Sequence, residues 1–395
     1  MSSDAPRPEI LCIGFGALGT IYSYLLAQGG ASITAVARSN YTTLTTTGIH
    51  IDSLKYGSIP SWKPTRCVRE SDPEAATDRV YDYVVCTFKN VPDHKSASSI
   101  IRPFLRKDGK GPTIVLLQNG VGIEEEVQRS LVEEEGLARG VISAVAWIGA
   151  NLVDGGTRVT HGALERLEFG SYSPSGQTEE DKTALDRFAQ IYTSGGGGGR
   201  AVDDIEAIRW QKILWNASWG GLSTLARQPV AALLTPDTLH YSVGVVRRIM
   251  LEILYVARAC GIGEDRFPAS SVDQAVNITL KTSQIQGVGD GVKGGNLAAD
   301  FKPSILLDLE NGRPMELEPI VGNVVRMARR TGVDTPRLDL ILASLKPSQV
   351  QAIERAGGGG EGKGVGVTKY EQLSATSRGN WPAGAPVSKD SRTYL

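Results

Sequence analysis

Apolar residues along the chain change their period twice, and these changes predict its organisation. Glu9–Ile13 (EILCI) is a short apolar run of the length expected for a buried strand. It leads directly into Gly14-Phe15-Gly16-Ala17-Leu18-Gly19. Thr20 to Gln28 has helical character, and Gly29-Gly30 ends it where a C-terminal glycine belongs. Strands follow at Ser32–Ala37, Val80–Thr87 and Thr113–Leu117, with helical stretches at Ala97–Leu105 and Ile123–Glu134 between them. Such alternation predicts an α/β unit with a doubly wound parallel sheet. Residues 138–172 alternate small, β-branched and polar side chains and are expected to complete the sheet. A helix over Glu179–Tyr192 comes next, then Gly195–Gly199, which is expensive inside any regular element and predicts a loop or an interdomain hinge. After Arg200 the pattern is helical: Ile205–Arg227, Thr238–Cys260, Val272–Thr282, Pro303–Leu309, Glu316–Thr331 and Arg337–Leu345.

The expected organisation is a polar arm over 1–8, an α/β unit over 9–198 and an all-α unit over 199–355. Residues 356–395 are rich in Gly, Ser, Lys and Pro, which predicts a disordered tail. Gln284–Asn296 reads as a glycine-rich surface loop, with a lid as the alternative.

Charge narrows the function classes. The 42 Lys+Arg against 43 Asp+Glu leave a formal charge of −1, so no nucleic-acid or polybasic membrane surface is expected. Cys12, Cys67, Cys86 and Cys260 lack CxxC spacing, and His50, His94, His161 and His240 lack metal-ligand spacing. No metal is expected, and a reducing, cytoplasmic setting is. The longest uncharged run, Ile10 to Ala37, exceeds the roughly 20 residues of a bilayer span, but glycines interrupt it. No GxSxG elbow supports a hydrolase.

Gly14, Gly16 and Gly19 form GxGxxG between a strand and a helix, the context that gives this motif its meaning. The first glycine permits the tight turn, the second lets backbone approach a pyrophosphate, and the third lets helix and strand pack. Gly14, Gly16, Ala17, Leu18 and Gly19 are therefore the candidate phosphate cradle of a Rossmann-type unit. Where an NAD site usually carries an acidic residue after the second strand, this chain has Arg38-Ser39-Asn40. A guanidinium suits a 2′-phosphate, so NADP(H) is favoured.

The chemistry signal lies in Trp210-Gln211-Lys212-Ile213-Leu214-Trp215-Asn216. Lys212 and Asn216 share a helix face, and a partly buried lysine can have its pKa lowered enough to donate a proton. A surface lysine on an amphipathic helix is the competing reading.

Together with GFGALG and WQKILWNAS, the chain carries Thr87-Phe88-Lys89, Leu117-Gln118-Asn119-Gly120-Val121-Gly122, and Lys302-Pro303-Ser304-Ile305-Leu306-Leu307-Asp308 ahead of Asn311-Gly312-Arg313-Pro314-Met315-Glu316. In this order the motifs resemble the ketopantoate reductase (2-dehydropantoate 2-reductase) family over roughly residues 9–348. The resemblance implies NADPH-dependent reduction of a 2-oxo acid in pantothenate biosynthesis. It implies Lys212 as proton donor and Glu316 as an active-site carboxylate. Asn216 and Ser304 would bind substrate. Asn119 would stand at the nicotinamide end of the cleft, Lys89 would line the cofactor cleft, and Arg38 would read the 2′-phosphate. A homodimer is left open.

One departure bears on substrate. Where the family usually has an Asn-Pro pair four residues after its helix asparagine, this chain has Gly220-Gly221 after Trp219. A relative that reduces another carbonyl or an imine is therefore an alternative, as is a dinucleotide-binding protein without turnover.

Overall fold

The computed structural model describes residues 7–107, 109, 111–282 and 301–357. Most of the expected polar arm, the loop over 284–296 and nearly all of the expected tail lie outside the described residues. Ten strands form one sheet: β1 (Glu9–Ile13), β2 (Ser32–Ala37), β3 (Ile49–Ser53), β4 (Gly57–Trp62), β5 (Arg66–Arg69), β6 (Tyr83–Cys86), β7 (Thr113–Leu116), β8 (Gly140–Val153), β9 (Arg158–Tyr172) and β10 (Gly199–Ala201). Helices in this half are α1 (Ala17–Gln28), α2 (Tyr41–Thr45), α3 (Ala97–Ile101), α4 (Glu124–Val127) and α5 (Glu179–Ser194). The helical half holds α6 (Ile205–Ala226), α7 (Leu239–Ala259), α8 (Ser270–Thr282), α9 (Ser304–Glu310), α10 (Asn323–Thr331) and α11 (Pro336–Arg355).

The strand order is β4-β3-β9-β8-β7-β6-β1-β2-β5, with β10 beside β9. From β8 through β7, β6, β1 and β2 to β5 every pairing is parallel. β2, β6 and β7 are buried throughout, as parallel strands covered on both faces must be. Alternate residues feed opposite cores. Ile10 and Cys12 pack with Leu25 of α1 and Phe188 of α5, while Leu11 and Ile13 pack with Ile101 of α3 and Val127 of α4. The helical half is built on α6, whose Trp210, Ile213, Leu214 and Ala217 lie among residues of α7, α10 and α11.

The doubly wound parallel sheet is as expected, and residues 138–172 complete it as antiparallel strands. β8 and β9 form a long antiparallel hairpin, and β3 and β4 pair antiparallel at an edge. β3, β4 and β5 have no counterpart in the sequence reading. β4 is largely exposed and carries almost no apolar alternation to read. α11 continues through Pro347 to Arg355, beyond the predicted end at Leu345, because Gln349, Ala352 and Ile353 are buried past the proline. The predicted helix from Glu316 instead opens with a π-helical turn, Glu318–Gly322, before α10.

The glycine run is the expected loop, and it is tightly packed. A Cβ on Gly195 would lie 1.8 Å from the Leu25 carbonyl oxygen, and one on Gly29 would lie 1.8 Å from that of Ile191. The ends of α1 and α5 thus touch backbone to backbone. Gly197 N–H donates to the Tyr192 carbonyl, Gly198 N–H donates to Glu165 Oε2 at 2.9 Å, and Gly199 begins β10. Glu165 also accepts from Lys55 Nζ at 2.8 Å, Tyr56 Oη at 2.6 Å and the Tyr192 hydroxyl. Gly29 has φ −76, so only the close approach forbids a side chain there. Gly29→Ala should therefore cost about 1–3 kcal/mol or more, the range for overpacking. A urea midpoint equal to that of the wild type would refute the contact.

Candidate active site

The cleft is built at the carboxyl ends of β1, β6 and β7, opposite α6. Gly14 has φ +93, and a Cβ there would lie 2.3 Å from Phe88 N. A Cβ on Gly19 would lie 2.4 Å from the Gly14 carbonyl oxygen. Both positions therefore require glycine, for conformation or for contact. A Cβ on Gly16 would meet nothing within 4 Å. Gly16 is the N-cap of α1 and has no side chain to satisfy the first N–H groups, so the helix start faces open space. These residues fit a dinucleotide: Gly16, Ala17 and Leu18 would present backbone to its phosphates. Asn40 Nδ2 donates to the Phe15 carbonyl at 2.6 Å and ties this turn to the end of β2.

Arg38 projects from that end with its side chain 85% exposed and its guanidinium 4.0 Å from Glu70. Arg69 stacks on Tyr41 nearby in sequence to Glu70, its Cζ 3.9 Å from the ring centroid. Asn119, in the turn after β7, donates from Nδ2 to Glu316 Oε2 at 3.0 Å. Asn90 N–H donates to the other oxygen, Oε1, at 3.2 Å. Lys89 is ion-paired with buried Asp308 of α9. Lys89, Asn119 and Glu316, predicted separately, thus meet where the two halves join. Ser304 is exposed in the first turn of α9, one helical turn before Asp308. Asn216 is half-buried, and its side chain makes no hydrogen bond to a described residue.

Lys212 is set by a neighbour that the sequence reading missed. Arg209 is buried and pairs with Glu124. Its Nε donates to Ser143 Oγ at 2.6 Å, and its terminal nitrogens donate to the carbonyls of Gln118, Gly120, Leu116 and Ala144 at 2.9–3.2 Å. β8 pairs with β7 only as far as Ser143. Beyond it, the carbonyl of Ala144 accepts from Arg209 and that of Ala146 accepts from Lys212 Nζ at 2.5 Å. The spacing of one helical turn on α6 is matched to two residues on the free edge of β8. Lys212 Nζ also stands 5.8 Å from the Trp147 ring centroid, with the Arg166 guanidinium 5.2 Å from the same ring.

Burial, then the Arg209 charge, lower the Lys212 pKa to about 8, while Glu316 acts to raise it. Burial raises that of Glu316, opposed by Lys89 and by the bonds from Asn119 and Asn90. The site therefore joins an ammonium poised to release a proton to a carboxylate held among amide donors. Signals for the missed residues were thin. Arg209 interrupts an apolar register in Ile208-Arg209-Trp210 and Asp308 closes the Lys302–Asp308 motif, but Asn90 and Ala146 carried none.

A glycine turn that fits a dinucleotide, together with a helix-borne lysine of lowered pKa, is the arrangement expected of a nicotinamide-dependent oxidoreductase acting on a C=O/CH–OH pair. Residues 10–174 match the family described as Ketopantoate reductase PanE/ApbA, and residues 204–349 match Ketopantoate reductase PanE/ApbA C terminal. The chain belongs to the ketopantoate reductase family. It is 30% identical to the uncharacterized protein YDL144C of Saccharomyces cerevisiae, over 93% of this chain and 98% of that one. A 2-dehydropantoate 2-reductase of Nostoc is 24% identical, over 85% of this chain and 93% of its own length. The crystal structure of 2-dehydropantoate 2-reductase from Methylococcus capsulatus superposes with a TM-score of 0.68 at 32% identity, covering 87% of this chain and 97% of that one.

Two expectations follow from the geometry. A lysine that must be protonated to act loses its proton as pH rises through its pKa, so kcat/KM should fall above a pH of about 8. A profile flat to pH 10 would remove Lys212 from proton transfer. Arg209→Met leaves Glu124 buried without its cation and should destabilise by roughly 3–5 kcal/mol, as read by chemical denaturation; a loss below 1 kcal/mol would contradict the pairing.

Proposed function

We propose that the protein reduces a 2-oxo acid to its 2-hydroxy acid with NADPH, and that 2-dehydropantoate is the first substrate to test. The convergence of Lys212, Asn119 and Glu316 beside the glycine turn carries this reading. Reduced nicotinamide supplies the hydride when bound. Substrate lies between the halves, with its carboxylate towards Ser304 and its remaining polar groups within reach of Asn216 and Glu316. As the carbonyl carbon gains hydride, its oxygen becomes an alkoxide. The Lys212 ammonium stabilises that charge and transfers its proton to the oxygen, which favours the transition state over the ground state. Glu316 keeps an anionic partner near Lys212 and orients substrate. Arg38 reads the cofactor's 2′-phosphate, and Lys89, already paired with Asp308, lines the cleft. The unpaired cysteines accord with a cytoplasmic enzyme, and among the described residues no helix is long and apolar enough to cross a membrane.

The substrate itself is where a second reading has support. A Cβ at Gly220 would lie 3.8 Å from Ile305 and 3.8 Å from Pro303, beside Ser304. A Cβ there would make only ordinary contacts with the start of α9, and glycine leaves that space beside Ser304 open to the substrate. At Gly221 a Cβ would press on Ile341 Cδ1 at 3.0 Å, so that glycine serves the packing of α6 on α11.

Lys212→Ala should lower kcat by about 10²–10⁴-fold with NADPH affinity nearly unchanged; near-normal turnover of the best substrate would refute the mechanism. Arg38→Ala should weaken NADPH binding about ten- to a hundredfold while sparing NADH, since charge-assisted bonds contribute roughly 1.5–3 kcal/mol. Equal losses for the two cofactors in a fluorescence titration would refute that role. A panel of 2-oxo acids, assayed with the wild type and Gly220→Asn, decides the substrate. Unchanged preferences in the variant would mean that position 220 does not select.

A further inference from the structure

α11 reaches the catalytic cleft through one buried side chain. Gln349 is fully buried. Its Oε1 accepts from Met315 N–H at 2.7 Å, and its Nε2 donates to the Met315 carbonyl at 3.0 Å. The carboxamide thus grips both backbone polar groups of Met315, the residue immediately before Glu316, as a neighbouring strand would. Nε2 also lies 3.2 Å and 3.3 Å from the two carboxylate oxygens of Asp93. Asp93 belongs to the segment after β6 that carries Lys89 and Asn90, and Asn90 N–H is one of the two donors to Glu316. Lys346, one turn earlier on α11, bonds Asp93 Oδ2 at 3.0 Å and pairs with Glu318, which also pairs with Arg326. The two segments that fix the Glu316 carboxylate, its own backbone and the Asn90 loop, are therefore held in register by the same amide.

We propose that Gln349 is a positioning residue for Glu316, with Asp93 and Lys346 as its supports, and that it sets both the place of the carboxylate and its isolation from water. The inference rests on the reading of Glu316 as an active-site carboxylate. Charged groups facing Glu316 are Lys89 from the loop after β6, Lys212 from α6 and Asp308 from α9. None of them touches Gln349, so a change at 349 acts on Glu316 through geometry and solvent access. Burial is the largest influence on the Glu316 carboxyl and raises its pKa. Loosening the grip admits water, stabilises the charged form and moves its titration to lower pH.

The test is kinetics across pH on the full chain with NADPH and the best 2-oxo acid, with NADPH affinity measured alongside. Gln349→Met keeps the volume and removes all of these hydrogen bonds. The expected result is a fall in kcat of tenfold or more, NADPH affinity within twofold, and an acidic limb of kcat/KM displaced to lower pH. A purely structural role would scale the whole profile and leave the limb in place; that outcome, or a wild-type kcat, overturns the proposal. If Gln349→Met does not fold, Asp93→Ala takes its place. It removes the second anchor of the amide and should shift the limb the same way with about a threefold loss of kcat, and an unmoved limb there overturns the proposal equally. Glu316→Gln separates the two layers. Wild-type kinetics in that variant would mean that the reading of Glu316 has failed, whereas an impaired Glu316→Gln beside an unaffected Gln349→Met would mean that only the positioning role has failed.

Discussion

A guanidinium without water must be surrounded by acceptors, and the cleft is organised around that requirement. Arg209 carries its charge into the junction of the two halves, where desolvation would cost several kcal/mol without compensation. Glu124 from α4, Ser143 from β8 and the carbonyls of the β7 turn and β8 supply it. The partners come from α4, from β7 and the turn after it, and from β8, so satisfying one side chain fixes α6 against the sheet edge. Lys212, on the next turn, inherits its place from that arrangement. The same charge also favours release of the lysine proton, so one buried cation aligns the helix and tunes its neighbour.

Burial acts in opposite directions on the two groups of the cleft. It disfavours the ammonium of Lys212 and the carboxylate of Glu316 alike, lowering one pKa and raising the other. The opposing influences are local in both cases: Glu316 supports the lysine charge, and Lys89 with two N–H donors supports the carboxylate. This division is suited to a reaction in which negative charge appears briefly on a substrate oxygen and a proton must follow it.

Much of the fold was legible because its signals are short-range. Glu9–Ile13, Ser32–Ala37 and Thr113–Leu116 are apolar enough to identify themselves, and Gly14 and Gly19 stand where a side chain would strike backbone. β4 was not legible, because an edge strand in which only Ile59 and Trp62 are partly covered has no alternation to display. α11 was cut short because Pro347 looks like a stop, and only tertiary burial beyond it overrides that signal. In the site, Lys212, Glu316 and Asn119 were read from motifs. Their supports, Arg209, Asn90 and Gln349, were not, since each is defined by partners far away in sequence. The glycine run is the loop that its composition predicts, but its close packing was not legible, since Gly195 and Gly29 are pressed against backbone distant in sequence.

The acceptor that holds the Lys212 ammonium is the peptide carbonyl of Ala146, on the stretch of β8 that outruns β7. A carbonyl belongs to every residue type, so substitution at position 146 can alter the methyl group without deleting the acceptor. The lysine's resting partner is thereby shielded from genetic drift at the level of single codons. It is also invisible to any comparison of residue identities, and only an insertion or deletion that changes the length of the overhang can take it away.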